Sequence, residues 1–85
     1  MNLNSLTIGQ MAKLNHISPQ TLRLYDREGL LTPAVTDPDT GYRYYHIIQS
    51  ARLDMIQYMK DYGMTLKQIR HTLDNGSSND IKSFL

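Results

Sequence analysis

Two closely spaced helix start signals near the N-terminus constrain this chain more than any other feature. Thr7 and Gln10 have the spacing of a capping box, in which a hydroxyl and an amide satisfy free backbone N–H groups. Ser18 and Pro19 suit the N-cap and the first helical position of a second helix. Gly29 suits the left-handed residue that ends it. The pattern is typical of a helix-turn-helix.

The next segment predicts a β-hairpin. Ala34-Val35-Thr36 and Tyr42-Arg43-Tyr44 favour short strands, and residues 37–41 between them are rich in turn formers. An isolated hairpin is marginally stable, so this one must pack on the helices. We therefore predict a mainly α winged helix-turn-helix with about four helices and a β-hairpin wing.

Helical apolar spacing predicts the remaining two helices. A third helix is expected over about 47–62 and should stop at Gly63. Its apolar positions are Ile48, Leu53, Met55, Ile56 and Met59. A fourth begins at a second capping box, Thr65 with Gln68. Its apolar stripe is Leu66, Ile69 and Leu73.

Length and composition exclude several classes of protein. Eighty-five residues allow one domain with a small core. The absence of cysteine excludes disulfides and a thiolate nucleophile and fits a reducing cytosol. No stretch approaches the roughly 18 apolar residues of a membrane span, and the N-terminus lacks a signal-peptide pattern. We expect a cytoplasmic, nucleoid-associated protein without a membrane partner.

No pattern indicates catalysis, a cofactor or a metal. The three histidines lack the spacing of metal ligands. Asp26 and Glu28 do not converge on a helix, and Asp37 and Asp39 lie where turns favour aspartate. A glycine-rich phosphate loop and a Ser/His/Asp pattern are both missing from the sequence. The chain is predicted to be a non-enzyme with no cofactor and no metal site.

The second helix has the side chains best suited to DNA. A recognition helix places its N-terminal half against base edges in the major groove. The residues then expected near bases are Ser18, Gln20, Thr21 and Leu24. Arg23 and Tyr25 are expected near bases or phosphates, and Arg27 suits gripping the backbone. Arg23 has an alternative, an intrahelical pair with Asp26 three residues on.

Charge and the wing add weaker indications. The net charge is only +1. The basic residues are explained equally well as ordinary solvated surface charge and as a surface that binds nucleic acid. In the second strand Tyr42 and Tyr44 face one side, and Arg43 and Tyr45 face the other. One side should pack on the helices, and Arg43 is expected to point outward to the DNA backbone. The residues do not decide for any single tyrosine between core and contact.

The sequence resembles the MerR family of bacterial transcription regulators and is most similar to its multidrug-responsive branch. The matching stretches are residues 7–13, 18–26, 29–31, 37–45 and 63–69. The resemblance implies a sequence-specific domain that binds double-stranded, palindromic promoter DNA and distorts it, with RNA polymerase as an indirect partner. It also implies the residues at or near DNA: Thr7, Ser18, Gln20, Thr21, Arg23, Leu24, Tyr25, Arg43 and Tyr45.

The resemblance further implies how the chain is divided. Residues 1–74 are expected to be the DNA-binding domain, and residues 75–85 a linker and the start of a truncated dimerisation helix. A full-length protein would be a homodimer, and this chain a monomer or weak dimer.

Two alternatives stay open. A phage excisionase-like architectural protein would bind tandem sites rather than an inverted repeat. A protein-interaction winged helix would expose an apolar patch on the second helix, where Leu24 is the one supporting feature.

Overall fold

A computed structural model describes residues 1–75 of the chain. The elements in order are β1 Leu6–Thr7, α1 Ile8–Leu14, α2 Pro19–Arg27, β2 Val35–Thr36, β3 Arg43–Tyr45, a 3₁₀ helix Ile47–Gln49, α3 Ser50–Asp61 and α4 Leu66–Asn75. This architecture confirms the predicted mainly α winged helix-turn-helix with four helices. Of the predicted linker and further helix at 75–85, only Asn75 lies within the described residues, as the last residue of α4.

The helices begin and end at the predicted local signals. Thr7 Oγ1 accepts from the Gln10 backbone N–H at 3.1 Å, and the Gln10 side chain accepts from the Thr7 N–H at 3.0 Å. Ser18 Oγ accepts from the Thr21 N–H at 3.1 Å, which caps α2. Gly29 follows α2 with φ 71°, a left-handed conformation that glycine adopts without steric cost. Short-range capping therefore sets the boundaries of the helix-turn-helix.

The sheet has one strand more than the hairpin that was predicted. Its strands are antiparallel in the order β1-β3-β2, so β3 is central. β1 pairs Leu6 with Tyr45 and Thr7 with Tyr44. Because Thr7 is both the end of β1 and the N-cap of α1, the wing is joined to the start of the helix-turn-helix.

A single core connects the four helices to the sheet. Its buried residues are Leu6, Met11, Ala12, Leu22, Tyr25, Leu30, Leu31, Tyr45, Leu53, Ile56 and Ile69. The predicted stripe of α4 is confirmed, because Ile69 is buried and Leu66 and Leu73 pack against this core. Within residues 1–75, no helix is long and apolar enough to cross a membrane.

Two of the predicted apolar positions of the third helix lie outside the core. Ile48 is 73% exposed and Met55 is 37% exposed. The 3₁₀ turn at 47–49 precedes α3, so Ile48 is not part of the α-helical repeat that buries Leu53 and Ile56. Met55 lies one residue before Ile56, on a different side of the helix.

Candidate nucleic-acid interface

Helix α2 presents a polar face to solvent. Gln20, Arg23 and Arg27 are exposed, whereas Leu22 and Tyr25 are buried. Spacings of three and four residues put the exposed three on one side of a helix, and the buried pair lies on the opposite side. The core therefore fixes which side chains of α2 are available to a partner.

The other predicted residues of α2 lie at the edge of this face. Ser18 is exposed, and its hydroxyl lies 2.9 Å from the hydroxyl of Thr21, which is half-buried. Leu24 is partly buried and packs against the core. Leu24, the residue that favoured a protein-interaction module, therefore contributes little to an exposed apolar patch on α2.

Thr7 and the wing border the same region. Thr7 is exposed, and it lines a shallow groove of about 240 Å³ with Ile8 and residues 42–44. At the wing tip, Asp37 Oδ1 accepts from the Asp39 N–H at 2.8 Å, which rigidifies the turn. The start of α1 and the hairpin therefore form one continuous surface.

Arg43 connects the wing to α2. Its Nε lies 3.2 Å from Asp26 Oδ2, with the two side chains 46% and 22% exposed. The predicted alternation along β3 holds, but the side bearing Arg43 and Tyr45 is the one that faces the helices. Arg43 is consequently half-exposed beside α2 rather than directed fully outward. Asp26 pairs with Arg43, not with Arg23 as the intrahelical alternative proposed.

The two tyrosines of the predicted site are core residues. Tyr25 is 2% exposed, and its hydroxyl accepts a hydrogen bond from Lys60 Nζ at 3.3 Å. Tyr45 has no exposed surface, and its hydroxyl has no hydrogen-bond partner among residues 1–75. These rings support the polar face from beneath and are not part of it in this conformation.

Charged side chains of α2 and β3 act on the pKa of Tyr45. Burial raises the pKa of Tyr45 above its ordinary value, and the Asp26 carboxylate raises it further. Arg43 and Arg23 act in the opposite direction and lower that pKa. Asp26 and Arg23 belong to α2 and Arg43 belongs to β3, so the charges that act on the pKa of Tyr45 come from both elements.

The basic residues divide into exposed and structural groups. Arg52 donates to the backbone carbonyl of Leu30 and pairs with Asp74 at 3.1 Å, which ties α3 to α4 and to the loop after α2. Arg27 is exposed on the same side of α2 as Arg23, four residues away. Arg27 is not among the residues that the family resemblance implies near DNA, although its spacing from Arg23 puts it on the same exposed side. The contact between Asp26 and Arg43 has no signal in the sequence around either residue.

Together, a capped helix pair, a sheet-borne wing and a polar second helix define a winged helix-turn-helix domain. Residues 6–76 match the family model described as MerR HTH family regulatory protein. The chain belongs to the MerR family, which confirms the resemblance stated from the sequence.

Curated relatives are transcription regulators of bacteria. The chain is 41% identical over 68 residues to the multidrug-efflux transporter 1 regulator of Bacillus subtilis, covering 80% of this chain and 24% of that protein. It is 41% identical over 75 residues to the transcriptional regulator BrlR of Pseudomonas aeruginosa, covering 88% of this chain and 28% of that protein. The chain thus spans about a quarter of the length of these relatives.

Solved structures show the same fold. HiNmlR, a MerR family regulator lacking the sensor domain and bound to promoter DNA, matches with a TM-score of 0.77 and 29% identity, covering 94% of this chain and 68% of that one. EcmrR in an EcmrR–DNA complex in EcmrR-RPo matches with a TM-score of 0.78 and 32% identity, covering 91% of this chain and 29% of that one. These matches favour the regulator over the excisionase-like alternative.

Proposed function

We propose that this chain is the promoter-binding domain of a MerR-type transcription regulator. The observation that carries the proposal is the exposed polar face of α2, with Gln20, Arg23 and Arg27 on one side. The structure of HiNmlR, whose match covers 94% of this chain, contains promoter DNA. The exposed face has the shape and chemistry of a recognition helix for the major groove.

Individual roles follow from position and chemistry. Gln20 lies in the N-terminal half of α2, where it would pair with adenine, and Arg23 would donate to guanine or to phosphate. Ser18, Thr21, Thr7 and Leu24 would line the margin of the contact. Arg43 would hold the sugar-phosphate backbone beside the wing. Tyr25 and Tyr45 would act from the core by fixing α2 and β3.

The wider role belongs to the same proposal. The domain, residues 1–74, would bind a palindromic promoter as part of a homodimeric cytoplasmic protein and distort it for RNA polymerase. The solved EcmrR–DNA complex in EcmrR-RPo supports this direction. No chemical reaction is assigned to the chain, whose curated relatives are regulators.

Fluorescence anisotropy tests the proposal. The chain would be titrated against an inverted-repeat promoter with an overlong spacer and against a scrambled duplex, at two salt concentrations. We expect weak, sequence-preferring binding that falls with salt, because phosphate contacts release counterions. Arg23→Ala and Arg43→Ala should each weaken binding.

The matched control is Arg70→Ala, which removes an exposed positive charge from α4 rather than from the proposed face. It should change affinity much less than Arg23→Ala. Binding of neither duplex, or equal losses for all three variants, would contradict the proposal. The first result would return the protein-interaction module as the better explanation.

A further inference from the structure

The ion pair between Asp26 and Arg43 gives α2 and the wing a polar contact in addition to the core that they share. The sheet packs on α1, whereas α2 reaches the core through Leu22 and Tyr25. Within residues 1–75, the two ion pairs are Arg43 with Asp26 and Arg52 with Asp74. The first of these links the recognition helix directly to the wing.

Stability alone does not account for a carboxylate at this position. The pair is partly exposed, and exposed ion pairs contribute little to folding because water and salt screen them. A negative charge on a helix facing DNA also repels phosphates. The charge of Asp26 should therefore weaken DNA binding unless it assists Arg43, the residue that it contacts.

That partner is a side chain with many accessible conformations. An unrestrained arginine loses rotamer freedom when it binds a phosphate, and a restrained one loses less. The ion pair places Nε of Arg43 3.2 Å from Asp26 Oδ2, and it leaves the terminal guanidinium nitrogens available to donate elsewhere. An arginine can thus be held by a carboxylate and still bind a phosphate.

We propose that Asp26 is a positioning residue: it orients Arg43 at the junction of α2 and the wing so that helix and wing engage DNA in one fixed geometry. This inference rests on the proposed DNA-binding function. It assigns no contact between Asp26 and DNA. Asp26 acts through Arg43.

A double-mutant cycle in DNA binding tests the role of Asp26. Wild type, Asp26→Asn, Arg43→Ala and the double variant would be titrated with promoter and scrambled duplexes. Asp26→Asn should weaken promoter binding about five- to tenfold, which corresponds to about 1.0–1.4 kcal/mol. In the Arg43→Ala background the same change should have no weakening effect. Asp26→Glu, which keeps the charge, should restore most of the affinity.

Controls separate positioning from folding and from failure of the proposed function. The Tm of each variant should change little, because the ion pair is partly exposed. A purely structural role of Asp26 would instead lower the Tm and the affinity together. Tighter binding by Asp26→Asn would overturn the inference, since it would make Asp26 only a competitor for Arg43. Equal weakening in both backgrounds would overturn it as well. Absence of salt-dependent binding by the wild type would instead refute the proposed function itself.

Discussion

Replacing Tyr45 with phenylalanine should stabilise the domain. Tyr45 has no exposed surface, and its hydroxyl makes no hydrogen bond to any of residues 1–75. A buried polar group without a partner costs about 1–3 kcal/mol, because it has lost its hydrogen bonds to water. Phenylalanine keeps the ring that packs in the core and removes only the oxygen.

Nearby charges place the expected gain at the low end of this range. Burial and Asp26 raise the pKa of Tyr45, whereas Arg43 and Arg23 lower it, so charged groups also act on this hydroxyl. We expect a gain of about 1 kcal/mol in the free energy of unfolding. For a domain of this size that corresponds to a rise in Tm of roughly 4–8 °C.

The assay is thermal unfolding followed by circular dichroism, together with promoter binding of the same variants. Tyr42→Phe is the matched control, because Tyr42 is 66% exposed. It should leave the Tm nearly unchanged. Tyr45→Phe should keep promoter affinity within about twofold of the wild type, since the buried hydroxyl has no direct access to DNA.

Two results would refute this reasoning. A lower Tm for Tyr45→Phe would show that the hydroxyl makes a stabilising bond in the folded domain. A roughly tenfold loss of promoter affinity with unchanged folding would make the hydroxyl a DNA contact. The second result would restore the direct role that the family resemblance implied for Tyr45.

Three further predictions follow from particular residues. The raised pKa of Tyr45 means that the folded domain keeps that proton to higher pH than the unfolded chain. The contribution of this proton to the free energy of unfolding should therefore be fully present below about pH 10 and be lost as pH rises above it. In urea unfolding at about pH 9 and 11, Tyr45→Phe should show a smaller loss of stability between the two pH values than the wild type. Gly29→Ala should cost about 1 kcal/mol or more, because φ is 71° and a Cβ would lie 3.4 Å from Arg70. Gly9→Ala lies in α1, and its Cβ would make one ordinary contact, at 4.0 Å from Thr7 Oγ1. It should instead stabilise by about 0.5–1 kcal/mol, so the two urea midpoints should shift in opposite directions. Ser18→Ala should destabilise by about 1 kcal/mol through loss of the α2 cap, and an unchanged urea midpoint would contradict that role.

Features set by neighbours in sequence could be predicted. The caps at Thr7, Ser18 and Thr65 each join residues three apart, so the pattern and the structure coincide. Gly29 and Gly63 end their helices with positive φ for the same local reason. Helix boundaries and the winged helix-turn-helix class follow from these short-range interactions.

Features set by distant partners could not be predicted. The pair between Asp26 and Arg43 spans 17 positions, and neither neighbourhood indicates the other. The intrahelical spacing offers Arg23 as an alternative partner of Asp26. Asp26 pairs with Arg43 and not with Arg23, because tertiary packing of β3 brings Arg43 Nε to 3.2 Å from Asp26 Oδ2.

The orientation of the wing strand depends on an element that the sequence pattern does not show. Residues 42–45 have an aromatic side chain on both sides of the strand, and a shift of one residue would exchange core and solvent sides. β1 removes this ambiguity. It pairs Leu6 directly with Tyr45, and directly opposed residues in an antiparallel pair have side chains on the same face. Because Leu6 is fully buried, Tyr45 is buried with it, and Arg43, two residues earlier, lies on the same side beside α2. A two-residue strand before the first helix thus determines which wing side chains remain exposed.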